Sequence, residues 1–181
     1  MPSILPILAS VLQKQTSNLR IEFPTITVTT PGQSVAKELA LSTPKLHLQS
    51  IKHNKTYLAV SLDPDAPFPS IPLLGPILHE CQMGLTGADG VTDGGWTRLA
   101  TTEGPAVSWI PPTPPGISGP HRYIFLVWEQ PEGVTLEAVR QMVDWGDGNV
   151  GLSKRVRWDV DGFLKKTGLG EVVGGAWFVC G

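Results

Sequence analysis

The stretch TYLAVSLDPDAP (residues 56–67) places a continuously apolar run directly before two aspartates and two prolines. An apolar run of this length is typical of a strand that is covered on both faces. Pro64 ends the strand because proline has no N–H to donate to the ladder. We therefore predict a central strand over 56–62, with Asp63 and Asp65 at the edge of the core, where two such close carboxylates repel each other.

Strand signals dominate the rest of the chain. The run YIFLVWEQ (123–130) is the strongest and shares the continuous apolar character of 56–62. Weaker signals predict further strands over 19–23, 25–29, 45–49 and 176–180. Helices are predicted over 135–145, with Thr135 as the N-cap, and over 158–168, ending at Gly168. We therefore predict a mainly β protein, a sandwich or barrel with a few peripheral helices.

No linker or repeat divides the sequence, so residues 1–181 are expected to form a single domain. Residues 1–18 are expected to form a short N-terminal helix or extension, because the apolar block Ile4–Leu12 lacks the preceding basic residues of a signal peptide. No apolar run is long enough to cross a bilayer. We expect a cytoplasmic monomer, with secretion as an alternative in which the sequon at Asn54 would matter.

The charge balance argues against some function classes. Lys and Arg number 14 against 16 Asp and Glu, a formal charge of −2, which is not the basic surface of a nucleic-acid-binding protein. The cations Lys154, Arg155 and Arg157 are interpreted as a solvated helix face. Cys81 and Cys180 lack metal-ligand spacing, so we expect neither metal nor cofactor. The sequence leaves open whether these two cysteines form a disulfide.

Polar residues cluster beside the two apolar strands and the long loops 67–76 and 111–120. Asp63 follows one strand and His121 precedes the other, so the two side chains meet if these strands are neighbours. An aspartate beside a histidine fixes its tautomer and favours the imidazolium. The imidazole N–H groups, with loop amides, could then receive an anion, while the prolines stiffen the loops.

Plainer interpretations stay open at this point. Asp63-Pro64 is also a common start of a turn. Arg122 could pair with Asp65 for purely structural reasons, and His47 and His53 fit surface or strand positions. No HExxH or G-x-S-x-G pattern indicates a metalloenzyme or a hydrolase.

Four segments together resemble the phosphatidylethanolamine-binding protein family, of a divergent and fungal type. They are DPDAP (63–67), the histidine His79 of the next segment, PPTPPGISGPHRY (111–123) and GLGEVVGGAWF (168–178). The resemblance runs from about residue 19 to residue 180. It implies a β-sandwich of Greek-key type with a small anion pocket for a phosphorylated headgroup.

The resemblance also implies which residues form the pocket. Asp63, His79, His121 and Tyr123 would bind the ligand, with Asp65, Pro67 and Arg122 as supports. The loop from Pro114 to Gly116 would form the rim. Phe68 and Pro69 follow DPDAP where the family usually has serine and a basic residue, which predicts a more apolar mouth.

Three functions are compatible with such a pocket. The first is a ligand-binding or regulatory module that takes a small anion, including lipid headgroups, and regulates kinases or proteases. The second is an enzyme or accessory protein in fungal secondary metabolism, assisting the coupling or cyclisation of polyketide-derived maleic anhydrides beside other pathway enzymes. His121 or His79 would then be the catalytic acid or base on a carboxylate or anhydride. The third is a vestigial pocket with an interaction role only.

Overall fold

The computed structural model describes residues 4–14, 17–52, 54–146 and 150–181, with side chains except at 4–5 and 89–93. His53 therefore lies outside the described residues. The strands are β1 (Leu19–Glu22), β2 (Thr27–Val28), β3 (Gln33–Ser34), β4 (Lys45–Gln49), β5 (Tyr57–Asp63), β6 (Ile77–Thr92), β7 (Trp96–Ala100), β8 (His121–Glu129) and β9 (Val172–Cys180). The α-helices are α1 (Ile4–Gln13), α2 (Leu136–Met142) and α3 (Val160–Thr167).

The described strands form one continuous mixed sheet in the order β2-β1-β4-β7-β6-β5-β8-β9-β3. Neighbouring strands are antiparallel except β3 and β9, which run parallel. The long strand β6 pairs with β5 through one part of its length and with β7 through another, so it joins the two halves of the sheet.

Two buried clusters stabilise this arrangement. One combines apolar side chains from both halves of the sheet, such as Leu19, Leu48, Phe125 and Phe178. The other covers the opposite face of β5 and β8 with residues of the three α-helices, among them Phe163. Every residue of β5 is buried, as its continuous apolar sequence predicts.

The mainly β fold with peripheral helices is confirmed, whereas the sandwich and its Greek-key topology stay predictions. Both predicted helices after residue 130 are present but shorter than expected. Thr135 caps α2 by accepting from Ala138 N, and Asp159 caps α3 by accepting from Gly162 N. Gly168 ends α3 in the left-handed conformation, with φ of 66°.

The sequence analysis missed β6 and β7, which lie in the middle of the sheet. β6 contains His79, Glu80 and Gln82 among its apolar residues, so it shows neither clean alternation nor a continuous apolar run. Its buried polar side chains are the reason that its periodicity is hidden.

Gly175 of β9 allows α1 to pack closely on the sheet. A Cβ atom at this position would lie 2.7 Å from Val11 Cγ2 and 3.0 Å from Val11 Cγ1. We expect Gly175→Ala to lower the free energy of unfolding by about 1–3 kcal/mol, because the extra methyl group overpacks this contact. Denaturant unfolding measures the effect.

Gly170→Ala is the matched control, since a Cβ there has no heavy atom within 4 Å. Equal stability of the two variants would contradict close packing of α1 on β9.

Candidate ligand-binding site

The antiparallel pairing of β5 with β8 forms the centre of the site. Leu62 lies opposite Ile124, so the end of β5 and the start of β8 share one edge of the sheet. There His121 Nδ1 lies 2.9 Å from Asp63 Oδ2, with both side chains almost fully buried. The structure therefore brings together the two residues that the sequence analysis expected to meet.

His121 has a partner on its second ring nitrogen as well. Its Nε2 lies 2.8 Å from Ser118 Oγ, and that hydroxyl lies 2.9 Å from the carbonyl oxygen of Gly119. A serine hydroxyl has one proton. It can donate either to Gly119 O or to His121 Nε2, so Nε2 is the donor only when the hydroxyl donates to Gly119 and the ring carries a proton on that nitrogen.

The two neighbouring aspartates have different hydrogen-bond partners, which offset the repulsion between their carboxylates. Asp63 Oδ1 accepts from the backbone N–H of Asp65 at 2.8 Å. Asp65 accepts from the backbone N–H and the guanidinium of Arg122, at 2.5–2.8 Å. Burial raises the pKa of Asp63, an effect opposed by its hydrogen bonds to His121 and Asp65.

His79 reaches the site through an irregularity in β6. Leu62 pairs with Leu78 and Ser61 with Glu80, so His79 is the extra residue of a β-bulge. Its Nδ1 lies 2.7 Å from the carbonyl oxygen of Ile110, which can only accept a hydrogen bond, so Nδ1 carries the proton. Nε2 is buried with no hydrogen-bond partner among the described residues.

Burial lowers the pKa of His79 to about 4, so the ring is neutral at physiological pH. The unprotonated Nε2 is therefore an acceptor beside the cavity. His79 thus presents an acceptor, and His121 Nε2 lies within hydrogen-bond distance of a hydroxyl.

These side chains surround a cavity of about 210 Å³. Its lining consists of Asp63, Ala66, Pro67, Leu74, Ile77, His79, Ile110, Thr113, Pro114, Pro115, His121, Tyr123 and Leu152. Six of the nine predicted binding residues belong to this lining, and Asp65, Gly116 and Arg122 do not. Asp65 and Arg122 instead form the ion pair beside it, and Gly116 is exposed.

The rest of the lining is largely apolar, but Phe68 and Pro69, from which an apolar mouth was predicted, are not part of it. Leu74 and Ile77 come from the segment before and at the start of β6, and Leu152 comes from a 3-10 helix over Leu152–Lys154. The Tyr123 ring meets His79 edge to face, with centroids 5.0 Å apart, and stacks on Phe178 at 5.2 Å. This packing fixes the wall of the cavity.

The sequence analysis wrongly assigned Arg155 to a solvated face. The side chain is buried, and its guanidinium donates to the carbonyl oxygens of Val150, Leu78, His79 and Ser108 at 2.8–3.3 Å. It therefore joins the bulge of β6 to the loop before β8. The neighbouring cations in the sequence do not indicate that Arg155 is buried and binds backbone carbonyl groups.

Within the described parts of the chain, no group of three or more His, Cys, Asp or Glu side chains is placed to hold a metal ion. Cys81 and Cys180 are both buried free thiols, which answers the question of their pairing. None of the helices described is both long and apolar enough to span a membrane.

Comparison with known proteins agrees with this fold. The family model described as phosphatidylethanolamine-binding protein matches residues 16–178, and the chain belongs to that family. The crystal structure of carboxypeptidase Y inhibitor complexed with its cognate proteinase has a TM-score of 0.68 at 22% identity, covering 98% of this chain and 91% of that one. The phosphatidylethanolamine-binding protein from Plasmodium vivax has a TM-score of 0.63 at 15% identity, covering 99% and 97%. At these identities the structures show the shared fold.

Two curated relatives match over shorter stretches. The carboxypeptidase Y inhibitor of Saccharomyces cerevisiae is 28% identical over 123 residues, covering 62% of this chain and 56% of the relative. The Protein BROTHER of FT and TFL 1 of Arabidopsis thaliana is 30% identical over 113 residues, covering 62% and 57%. The match thus spans little more than half the length of these relatives.

The lowered pKa of His79 predicts a pH dependence of stability. Between pH 6.5 and about 4 the unfolded chain protonates this ring and the folded chain does not, so its contribution to stability is lost as the pH falls. We expect the free energy of unfolding of the wild type to fall by up to about 3 kcal/mol relative to that of His79→Gln as the pH is lowered from 6.5 to 4. Urea unfolding at a series of pH values measures the difference.

The comparison with the variant isolates His79 from Asp63 and Glu80, whose pKa values are shifted upward. His47→Gln is the control, because His47 contacts Glu22 on the partly exposed part of β1 and β4. A constant difference between wild type and His79→Gln from pH 6.5 to 4 would show that His79 is not held neutral.

Proposed function

We propose that this protein is a ligand-binding regulatory module that holds a small anionic group, a phosphate or phosphorylated headgroup, in the cavity beside Asp63 and His121. The observation that carries the proposal is the buried imidazole of His121, which Asp63 orients and whose Nε2 is hydrogen-bonded to the Ser118 hydroxyl. A ligand oxygen could take the position of that hydroxyl. Membership of the family is consistent with this role.

The second histidine would select the protonation state of the ligand. His79 Nε2 accepts rather than donates, so it suits the P–OH group of a singly protonated phosphate. His121 would donate to an ionised oxygen of the same group. A cavity of about 210 Å³ is large enough for a small phosphorylated headgroup.

We propose a protein partner as the route of regulation. The yeast relative is named as an inhibitor of carboxypeptidase Y, and the corresponding structure contains its cognate proteinase. By analogy, this protein would regulate a protease or another enzyme, with the bound anion as a signal. The analogy concerns the fold and is weaker support than the cavity.

Binding of a phosphate ligand provides the test. We expect saturable binding of O-phosphorylethanolamine by wild type in isothermal titration calorimetry, and loss of binding in both His121→Ala and His79→Ala. His121→Ala removes the donor and His79→Ala removes the acceptor. Circular dichroism verifies that each variant is folded.

His47→Ala is the matched control, because His47 lies on β4 and its Nε2 contacts Glu22. It should bind as wild type does. Unchanged affinity in folded His121→Ala would reject the pocket as the binding site.

The biosynthetic function is a second candidate, favoured by the apolar lining around the two histidines. A carboxylate or anhydride with a hydrocarbon substituent would place its polar end at His121 and its apolar part against Leu74 and Leu152. His79, neutral and unpartnered at Nε2, would act as the base and His121 as the acid. Such a gene would lie beside polyketide synthase genes.

Turnover separates this candidate from the binding module. If the protein is an enzyme or accessory of this kind, it should accelerate coupling or cyclisation of an alkyl maleic anhydride, followed by mass spectrometry. His79→Ala should lose most of that acceleration, about 100-fold or more for removal of a general base, whereas His47→Ala should retain it.

A housekeeping gene location and no acceleration would count against the role. If the phosphate ligand does not bind either, the vestigial pocket remains.

A further inference from the structure

A second cavity lies beside the first and has the opposite polar character. Its volume is about 300 Å³. Its lining combines two carboxylates, an amide, hydroxyls and an indole, contributed by Thr43, Glu80, Gln82, Thr101, Glu103, Pro105, Ser108 and Trp109. None of these residues lines the cavity of His79 and His121.

The carboxylate of Glu80 is the central feature of this cavity. Glu80 and Gln82 lie two residues apart on β6 and project from the same face, where Gln82 Nε2 donates to Glu80 Oε1 at 2.9 Å. The Glu80 residue is only 3% exposed. Among the described residues, Gln82 is the side-chain hydrogen-bond partner of Glu80.

A buried carboxylate with so few partners is costly in its charged form. Burial raises the pKa of Glu80 to about 7, and the nearby guanidinium of Arg155 opposes this only weakly, because it donates to backbone carbonyls instead. A cation in the cavity would compensate the charge directly.

The rest of the lining favours an organic cation. A divalent metal would need more carboxylate or imidazole ligands, and the described residues supply no group of three. Trp109 instead offers an aromatic wall, and indole faces attract ammonium groups. Ser108 and the threonines can accept N–H groups.

We propose that this cavity, which we term the Glu80 pocket, binds a small organic ammonium ion through the Glu80 carboxylate and the face of Trp109. Glu103, which is exposed, adds a second negative charge at the opening. The same indole packs against the His79 ring, with centroids 5.8 Å apart. Trp109 therefore lines the Glu80 pocket and packs against a histidine that lines the other cavity.

Titration with ethylammonium chloride at pH 8, followed by two-dimensional NMR, tests the proposal. We expect saturable shifts of the Gln82 side-chain amide and the Trp109 indole N–H. Potassium chloride at equal ionic strength and ethanol, a neutral analogue, should leave these signals in place. No saturable shift with ethylammonium would overturn the proposal.

Variants locate the charge that is responsible. Glu80→Gln keeps the size of the side chain but removes its charge, so affinity should fall at least tenfold. Glu132→Gln, in the exposed turn before α2, should bind as wild type does. Equal affinity in Glu80→Gln and wild type would reject Glu80 as the ligand.

A further variant covers the case in which Glu80→Gln does not fold. Glu103→Gln, at the exposed opening, should weaken ethylammonium binding about two- to fivefold, as expected for one partly screened charge. Unchanged binding in Glu103→Gln would place the cation elsewhere. Binding of inorganic phosphate, which has no ammonium group, by Glu80→Gln reports separately on the His121 site, so failure of either proposal is distinguishable.

Discussion

The antiparallel register between β5 and β8 is the constraint on which the site depends. It places Asp63 at the end of one buried strand within 2.9 Å of His121 at the start of the other. A buried pair of polar side chains is tolerated only when its remaining polar atoms are hydrogen-bonded. The backbone N–H of Asp65 and the hydroxyl of Ser118 meet this requirement. A slip of one residue would turn both side chains away from each other.

The central part of the fold was predictable because its physical signal is local. The continuous apolar sequences of 56–62 and 123–130 indicate strands covered on both faces, and the structure pairs them. β6 was not predictable in the same way. Its bulge shifts the alternation by one residue at His79, and Glu80 occupies a buried position that an apolar residue usually fills.

The proximity of Asp63 and His121 was predictable, because each lies at the end of an apolar strand and belongs to a family signature. Residues that act through distant backbone atoms gave no such signal. Ile110 presents its carbonyl oxygen to His79, 31 positions away in sequence. Arg155 binds the carbonyl oxygens of Leu78 and Ser108, contacts that exist only after the loops have closed. The identity of a side chain does not encode such long-range contacts.

The Ser118 hydroxyl would compete with the proposed anion for His121 Nε2. Any oxygen that reaches His121 Nε2 exchanges one hydrogen bond for another, so the net gain in enthalpy is a difference between two similar contacts. Release would be correspondingly easy, because the displaced hydroxyl is tethered nearby at high effective concentration. Changes in the loop that carries Ser118 would therefore alter the occupancy and residence time of the proposed anion, while the two histidines stay the same.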